Sequence, residues 1–285
     1  MLQAVPEQAL DCLLFFAASP FPLSITLPAA YSRKALSHGL FFDTTETIPE
    51  GMGFSSFGTT HLIWLGAFLA AAFLCSFLYR RLPANGRRRM RFIFAALLIA
   101  DELFKVVCLA AHGNYTPQYL PLHLCSINII LIAVHAVKPS RLLDNFLYVV
   151  CIPAAVAALL LPTWTSLPVA NFMHIHSFTV HILLAVYPIM LTAGGDIQPQ
   201  LRFIPRCLAF LACLAIPIYF LDHLLDTNFM FLISAPSGNP LYWFDQTFGN
   251  HLIGYPFLIA VAVFIMYFPL YLIRIFRRET TLTAR

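Results

Sequence analysis

The chain has 285 residues, 60% of them apolar and 11% charged, with a formal charge of +4 and a mean hydropathy of +0.78. Water-soluble globular chains run at about 45–50% apolar and about 25% charged, so charged groups are too few here to cover a water-facing surface. A soluble enzyme, a nucleic-acid binder and a disordered chain are excluded. What remains is an all-α polytopic membrane protein, because lipid offers no partner to open backbone groups and forces crossing segments into helices.

In chain order, residues 1–57 read as an extracytoplasmic N-terminal segment. Leu10–Ala30 is apolar but carries Pro20, Pro22 and Pro28, which interrupt a helix. Glu7 and Asp11 stand where a secretory signal would be basic. A re-entrant or interfacial segment is expected. Seven spans of about 20 apolar residues follow in a transmembrane domain over 58–276: Gly58–Tyr79, Phe92–Ala111, Tyr119–Val137, Leu142–Leu161, Phe172–Ala193, Phe203–Leu225 and His251–Phe276. Residues 277–285 form a basic tail.

The basic residues alternate with the spans. Arg80, Arg81, Arg87, Arg88, Arg89 and Arg91 follow the first, Lys138 and Arg141 the third, Arg202 and Arg206 the fifth, and Arg274, Arg277, Arg278 and Arg285 close the chain. The stretches 113–118, 162–171 and 226–250 contain no Lys or Arg. Positive loops stay inside, so this seven-helix transmembrane bundle is expected to have a cytoplasmic C-terminus. In a bacterium it would lie in the inner membrane.

Function is sought among polar groups inside spans, where an ionisable side chain costs about 2.5–3.5 kcal/mol on insertion scales and normally faces a partner. Glu102 and Lys105 are three apart in the second span and can pair along one face. Most of the ten His fall toward the extracytoplasmic ends. His174 and His181, seven apart, share a helix face, and Pro188 follows seven further on. The seven Cys lie singly with no CxxC pair, which indicates neither a disulfide framework nor a zinc knuckle.

The third span opens with "LPLHLC", Leu120 to Cys125. A Cys near a helix start is activated by the positive dipole end and by an imidazole. Cys125 is expected about 9 Å inside its span and His181 about 14 Å inside its own. A Cys nucleophile, a His base and a donor for the oxyanion make an acyl-transfer site. Asn128, on the same face as Cys125, is a candidate for that donor.

The strings "YLPLHLCSI", "HIHSFTVHILLAVYP" and "TNFMFLISAP" resemble the YwaF-type integral membrane family. That family is similar to a eukaryotic group of membrane phospholipid acyltransferases, over about Thr59 to Phe276 of this chain. The resemblance implies transfer of a fatty acyl chain to or from a lysophospholipid or phospholipid through a Cys/His pair, with no metal or other cofactor. It carries over His181 as the His. In the eukaryotic group the Cys immediately precedes the His of the third-span motif, where this chain has Leu122. Either the nucleophile has moved one turn to Cys125, or this branch does different chemistry. His123 stands as a third catalytic candidate. His174 and Asn228 join Asn128 as candidate orienting or oxyanion-stabilising groups.

Two further readings come from the residues themselves. His174, His181, His223 and Asp222 could serve a zinc-dependent lipid hydrolase. Asp101, Glu102 and Lys105 could instead gate a non-enzymatic transporter or lipid-binding protein.

Overall fold

The computed structural model describes residues 40–283. The N-terminal apolar stretch Leu10–Ala30, read as re-entrant or interfacial, lies outside them. Helices run over α1 (Thr59–Arg81), α2 (Ala84–Ala111), α3 (Leu124–Val137), α4 (Arg141–Leu160), α5 (Phe172–Gly194), α6 (Ile204–Leu225), α7 (Pro240–Phe248) and α8 (Gly254–Thr283). Among the described residues, six stretches are long and apolar enough to cross a membrane: α1, α3 with its leading turn from Pro117, α4, α5, α6 with its leading turn from Leu201, and His251–Tyr271. Helix α2 has 28 residues, but Asp101, Glu102 and Lys105 interrupt its apolar run.

The central element is α5, the most buried of the six stretches, which packs against α1, α2, α3 and α4. Its apolar residues are not confined to one stripe, as suits a helix surrounded by others. Phe178, Leu184, Ala185, Tyr187, Met190 and Leu191 are all fully or almost fully buried. Asn171 caps its start, accepting from the Met173 and His174 backbones. The same side chain donates to the Leu40 and Asp43 carbonyls at 2.8 Å, so residues 40–43 are tied to the head of α5. Gly195, at φ 83°, ends it.

Several boundaries differ from those read in the sequence. Helix α2 starts two turns before Phe92, so the arginine block is helical. Helix α3 starts at Leu124, not Tyr119: a 3₁₀ turn covers Pro117–Tyr119, and His123 is the extended residue that precedes the helix. Pro121 therefore sits ahead of the helix. The stretch read as a loop over 226–250 contains α7, started by Asn239 and Pro240 and ended by Gly249 at φ 68°. Within α4 the residues Leu147–Cys151 form a π turn just before Pro153. Proline lacks the donor of the regular ladder, and π turns absorb such breaks. The turn packs against α5, α6 and α8, with the Tyr148 hydroxyl donating to the Met266 carbonyl at 2.5 Å.

At the arginine end of the bundle, Arg87 joins three segments. Its Nε donates to the Leu82 carbonyl, its Nη2 to Arg80, and its Nη1 to Gly194 O and Asp196 Oδ1, both at 2.9 Å. The Tyr79 hydroxyl takes the other Asp196 oxygen at 2.6 Å. Gly194 is needed beside them, because a Cβ there would stand 2.6 Å from the Tyr79 ring.

Candidate functional site

At the opposite end, which carries most of the histidines, the charged residues of α2 turn toward α3 and α5. Lys105 Nζ lies 2.6 Å from Glu102 Oε1. Ser126 at the head of α3 donates to the same oxygen at 3.2 Å. From α5, His176 Nδ1 stands 3.2 Å from Asp101 Oδ2 but off the line of a hydrogen bond, and its Nε2 stands 3.9 Å from Glu102 Oε2. Thr179 Oγ1 is 3.3 Å from both Asp101 oxygens, while its one proton is shared with the Ile175 and His176 carbonyls. The result is a half-buried network of two carboxylates, an ammonium, an imidazole and two hydroxyls. Partners of this kind let charge sit inside an apolar bundle.

Cys125 lies at this network. It is the second residue of α3, a helix whose start has no side-chain cap. The first backbone N–H groups of a helix have no partner within it, so those of Leu124, Cys125 and Ser126 are left without an intrahelical acceptor. Ser126 faces the sulfur through its backbone N–H and its side chain, and Lys105 and Glu102 are its charged neighbours. Asn128, one turn on, is 2% exposed.

His181 is held in one orientation. Its Nδ1 pairs with the Ser177 carbonyl at 2.6 Å; a carbonyl only accepts, so Nδ1 carries the proton and Nε2 is the ring's acceptor. The indole of Trp164 stacks on it at 5.4 Å and 12°. Its electrostatic neighbours are His176, Asp101 and His123. His123 meets Phe229 edge to face at 5.1 Å and has Lys105, Asp222 and Glu102 as charged neighbours. His123 thus shares Lys105 and Glu102 with Cys125, whereas the acid beside His181 is Asp101.

Other candidates are built into the scaffold. His174 accepts from Trp64 Nε1 at 3.0 Å and gives its Nδ1 proton to the Leu167 carbonyl at 3.3 Å, so one nitrogen joins α1 to α5 and the other ties α5 to the loop before it. Asn228 spends its side chain on the backbone of Ile233 and Ser234 and on the Ser234 hydroxyl, which shapes the loop after α6. The zinc set does not converge: His223 is exposed against Tyr219, and among the described residues no three His, Cys, Asp or Glu side chains are grouped to hold a metal.

Three residues escaped the sequence reading: His176, Thr179 and Ser126. Their signal was indirect, namely two adjacent acids in mid-span that needed partners. Among the described residues, Asn128 Oδ1, His176 Nδ1 and Asp222 Oδ2 are buried without a hydrogen-bond partner. Such atoms call for a water or a ligand group.

A family model matches residues 56–274, about three quarters of the chain, and takes in every residue of this cluster. The chain belongs to the TMEM164 family. No curated protein and no solved structure matches it. TMEM164 proteins are a transmembrane family, and with six apolar helices of crossing length among the described residues this member is a multi-pass membrane protein.

Proposed function

We propose that this TMEM164-family chain is an integral membrane acyltransferase. It moves a fatty acyl chain between phospholipid and lysophospholipid through Cys125 and His181, and it is related to the YwaF-type family and its eukaryotic acyltransferase relatives. The observation that carries the reading is the head of α3. A thiol stands in an uncapped first turn, beside an ammonium and a hydroxyl, in the bundle end where a histidine is fixed with Nε2 as acceptor.

The chemistry balances with these groups alone. The Cys125 sulfur attacks the ester carbonyl of the donor lipid while His181 Nε2 takes the thiol proton. The S–C bond forms and the ester C–O bond breaks. His181 returns the proton to the leaving alkoxide, which departs as lysophospholipid. The acceptor hydroxyl then attacks the thioester and gives its proton to His181. The C–S bond breaks, and the thiolate recovers the proton. Negative charge on the carbonyl oxygen is met by the free N–H groups of α3, with Asn128 and His123 alongside.

We read α2 as a seventh crossing. Its three charges face His176, Thr179 and Ser126 rather than lipid, the usual arrangement for ionisable groups in a span. The arginine end is then cytoplasmic by the positive-inside rule, and the catalytic end opens to the other side. Partners are the membrane lipids themselves.

The test is transfer of a labelled acyl chain to lysophospholipid by Cys125→Ser and His181→Ala proteins, together with intact-mass detection of a hydroxylamine-labile acyl adduct on the wild type. Both variants should lose transfer. Undiminished transfer by Cys125→Ser would overturn the nucleophile assignment.

A further inference from the structure

The arginine end of the bundle carries positive charge that its carboxylates do not match. Ten basic residues lie there over 80–91, 138–141 and 202–206, against two acids, Asp144 and Asp196. Both acids are committed. Asp144 accepts from His135 Nε2 at 2.8 Å, and Asp196 holds Arg87 and Tyr79 with one oxygen each. Among the described residues, Arg87–Asp196 is the one pairing of Arg or Lys with a carboxylate at this end. Several other arginines lean on rings: Arg81 lies over Phe77 at 4.1 Å and Arg88 over Phe92 at 5.6 Å.

Arg91 has neither kind of partner. Ala84, Arg87 and Arg91 stand at i, i+3 and i+7 of α2, so they share one face of its first two turns. With Leu82 and Asp196 they line a pocket of about 330 Å³. Arg87 commits four of its five N–H donors to the oxygens of Leu82, Gly194, Asp196 and Arg80. Arg91 Nε is buried without a hydrogen-bond partner. The hydroxyls that are its electrostatic neighbours, those of Tyr79 and Tyr187, give their protons to Asp196 and His135. A buried donor left unmet is costly, so this guanidinium calls for an acceptor from outside the chain. Arg87 and Asp196 cancel, which leaves the pocket the single positive charge of Arg91. The neighbouring arginines and the positive end of the α2 dipole strengthen the field there.

We propose that this pocket binds a phosphate group, with Arg91 as its main ligand and the remaining Arg87 donor as the second, and that the phosphate belongs to an anionic phospholipid of the leaflet at the arginine end. The planar guanidinium fork suits phosphate oxygens. Depth favours the lipid as the source. Leu82 and Ala84 lie one and three residues beyond Arg81, the end of the first crossing stretch, and Asp196 lies two beyond Gly194, the end of α5. The pocket therefore stands where spanning helices leave the hydrocarbon and meet the headgroups. A phosphodiester whose headgroup carries no cation matches the one uncompensated charge. Bound there, it completes the corner where α1, α2 and the end of α5 meet.

The experiment uses full-length protein in a neutral detergent, equilibrated with an equimolar mixture of phosphatidylglycerol and phosphatidylcholine and weighed by native mass spectrometry. One phosphatidylglycerol per chain should be retained in preference to phosphatidylcholine. Arg91→Gln should lower that occupancy about tenfold, the scale of one hydrogen bond to a charged group. Arg88→Gln and Arg89→Gln, exposed and outside the pocket, should leave it unchanged. Ala84→Glu guards against a folding failure of the first variant. Ala84 is exposed, an acid in the first turn suits a helix, and the new carboxylate should occupy Arg91 and expel the lipid. In a second arm inorganic phosphate is titrated without lipid, with the thermal midpoint as readout. A rise that Arg91→Gln abolishes, with no preference for phosphatidylglycerol in the first arm, sustains the phosphate site and overturns the lipid as its source. Equal losses in the Arg88, Arg89 and Arg91 variants would make occupancy a matter of net charge and overturn the site. Occupancy indifferent to both Arg91→Gln and Ala84→Glu would overturn it as well.

Discussion

His176 and Asp101 meet across the α5–α2 interface, with Nδ1 and Oδ2 3.2 Å apart. The contact brings the second helix's acids under the control of the central one. Through Glu102 the same cluster reaches Lys105 and Ser126, so three helices share one polar seam inside an apolar bundle.

Removing one member of that seam should cost more than removing two. Lys105 and Glu102 side chains are 8% and 14% exposed, and breaking a buried pair from one side typically costs about 3–5 kcal/mol. Lys105→Met should lower the unfolding midpoint in detergent more than Lys105→Met with Glu102→Gln. Equal losses in single and double variants would show that the two groups do not interact.

The His174–Trp64 bond gives a second cycle. His174→Phe leaves the half-buried indole N–H without its acceptor, an expected loss of about 1 kcal/mol. Trp64→Phe removes the donor, so the double variant should cost less than the sum of the two single changes. Additive losses would count against the bond.

At the arginine end, Gly194→Ala forces a methyl against the Tyr79 ring. Overpacking of this kind costs about 1–3 kcal/mol, read as a lower thermal midpoint. An unchanged midpoint would mean that the ring moves aside freely.

Topology is read by impermeant thiol labelling in intact cells, with single Cys introduced at Asn85 and Ser237. Ser237 should label and Asn85 should be protected. The reverse pattern would invert the orientation.

Most of the helical frame was legible because lipid-spanning helices need length and apolarity, and little else. The head of α3 was not. Pro121 suits a helix start, yet here it precedes an extended stretch, and the helix waits until Leu124. That shift moves Cys125 into the first turn, where its backbone neighbours are free donors. Attention to the His174–His181 spacing hid His176, which lies on another face and meets the acids of α2. For α7 the cues were present, with Asn239 and Pro240 at its start and Gly249 after its end, but they were overshadowed by the loop's lack of charge. The left-handed backbone at Met230 and Phe231 had no sequence cue, since neither residue type favours positive φ.

Arg87 also sets an order of assembly. Its bonds to Arg80 and Leu82 are available as soon as the α1–α2 turn is made. Its bonds to Gly194 and Asp196 await residues 107 and 109 positions later, or about 5–20 s of synthesis at usual rates. The newborn hairpin therefore holds its arginine in a provisional clasp made of its own carbonyls. The arrival of the far end of α5 turns that clasp into a permanent closure, so completion of the central helix is what commits the first two to their final places.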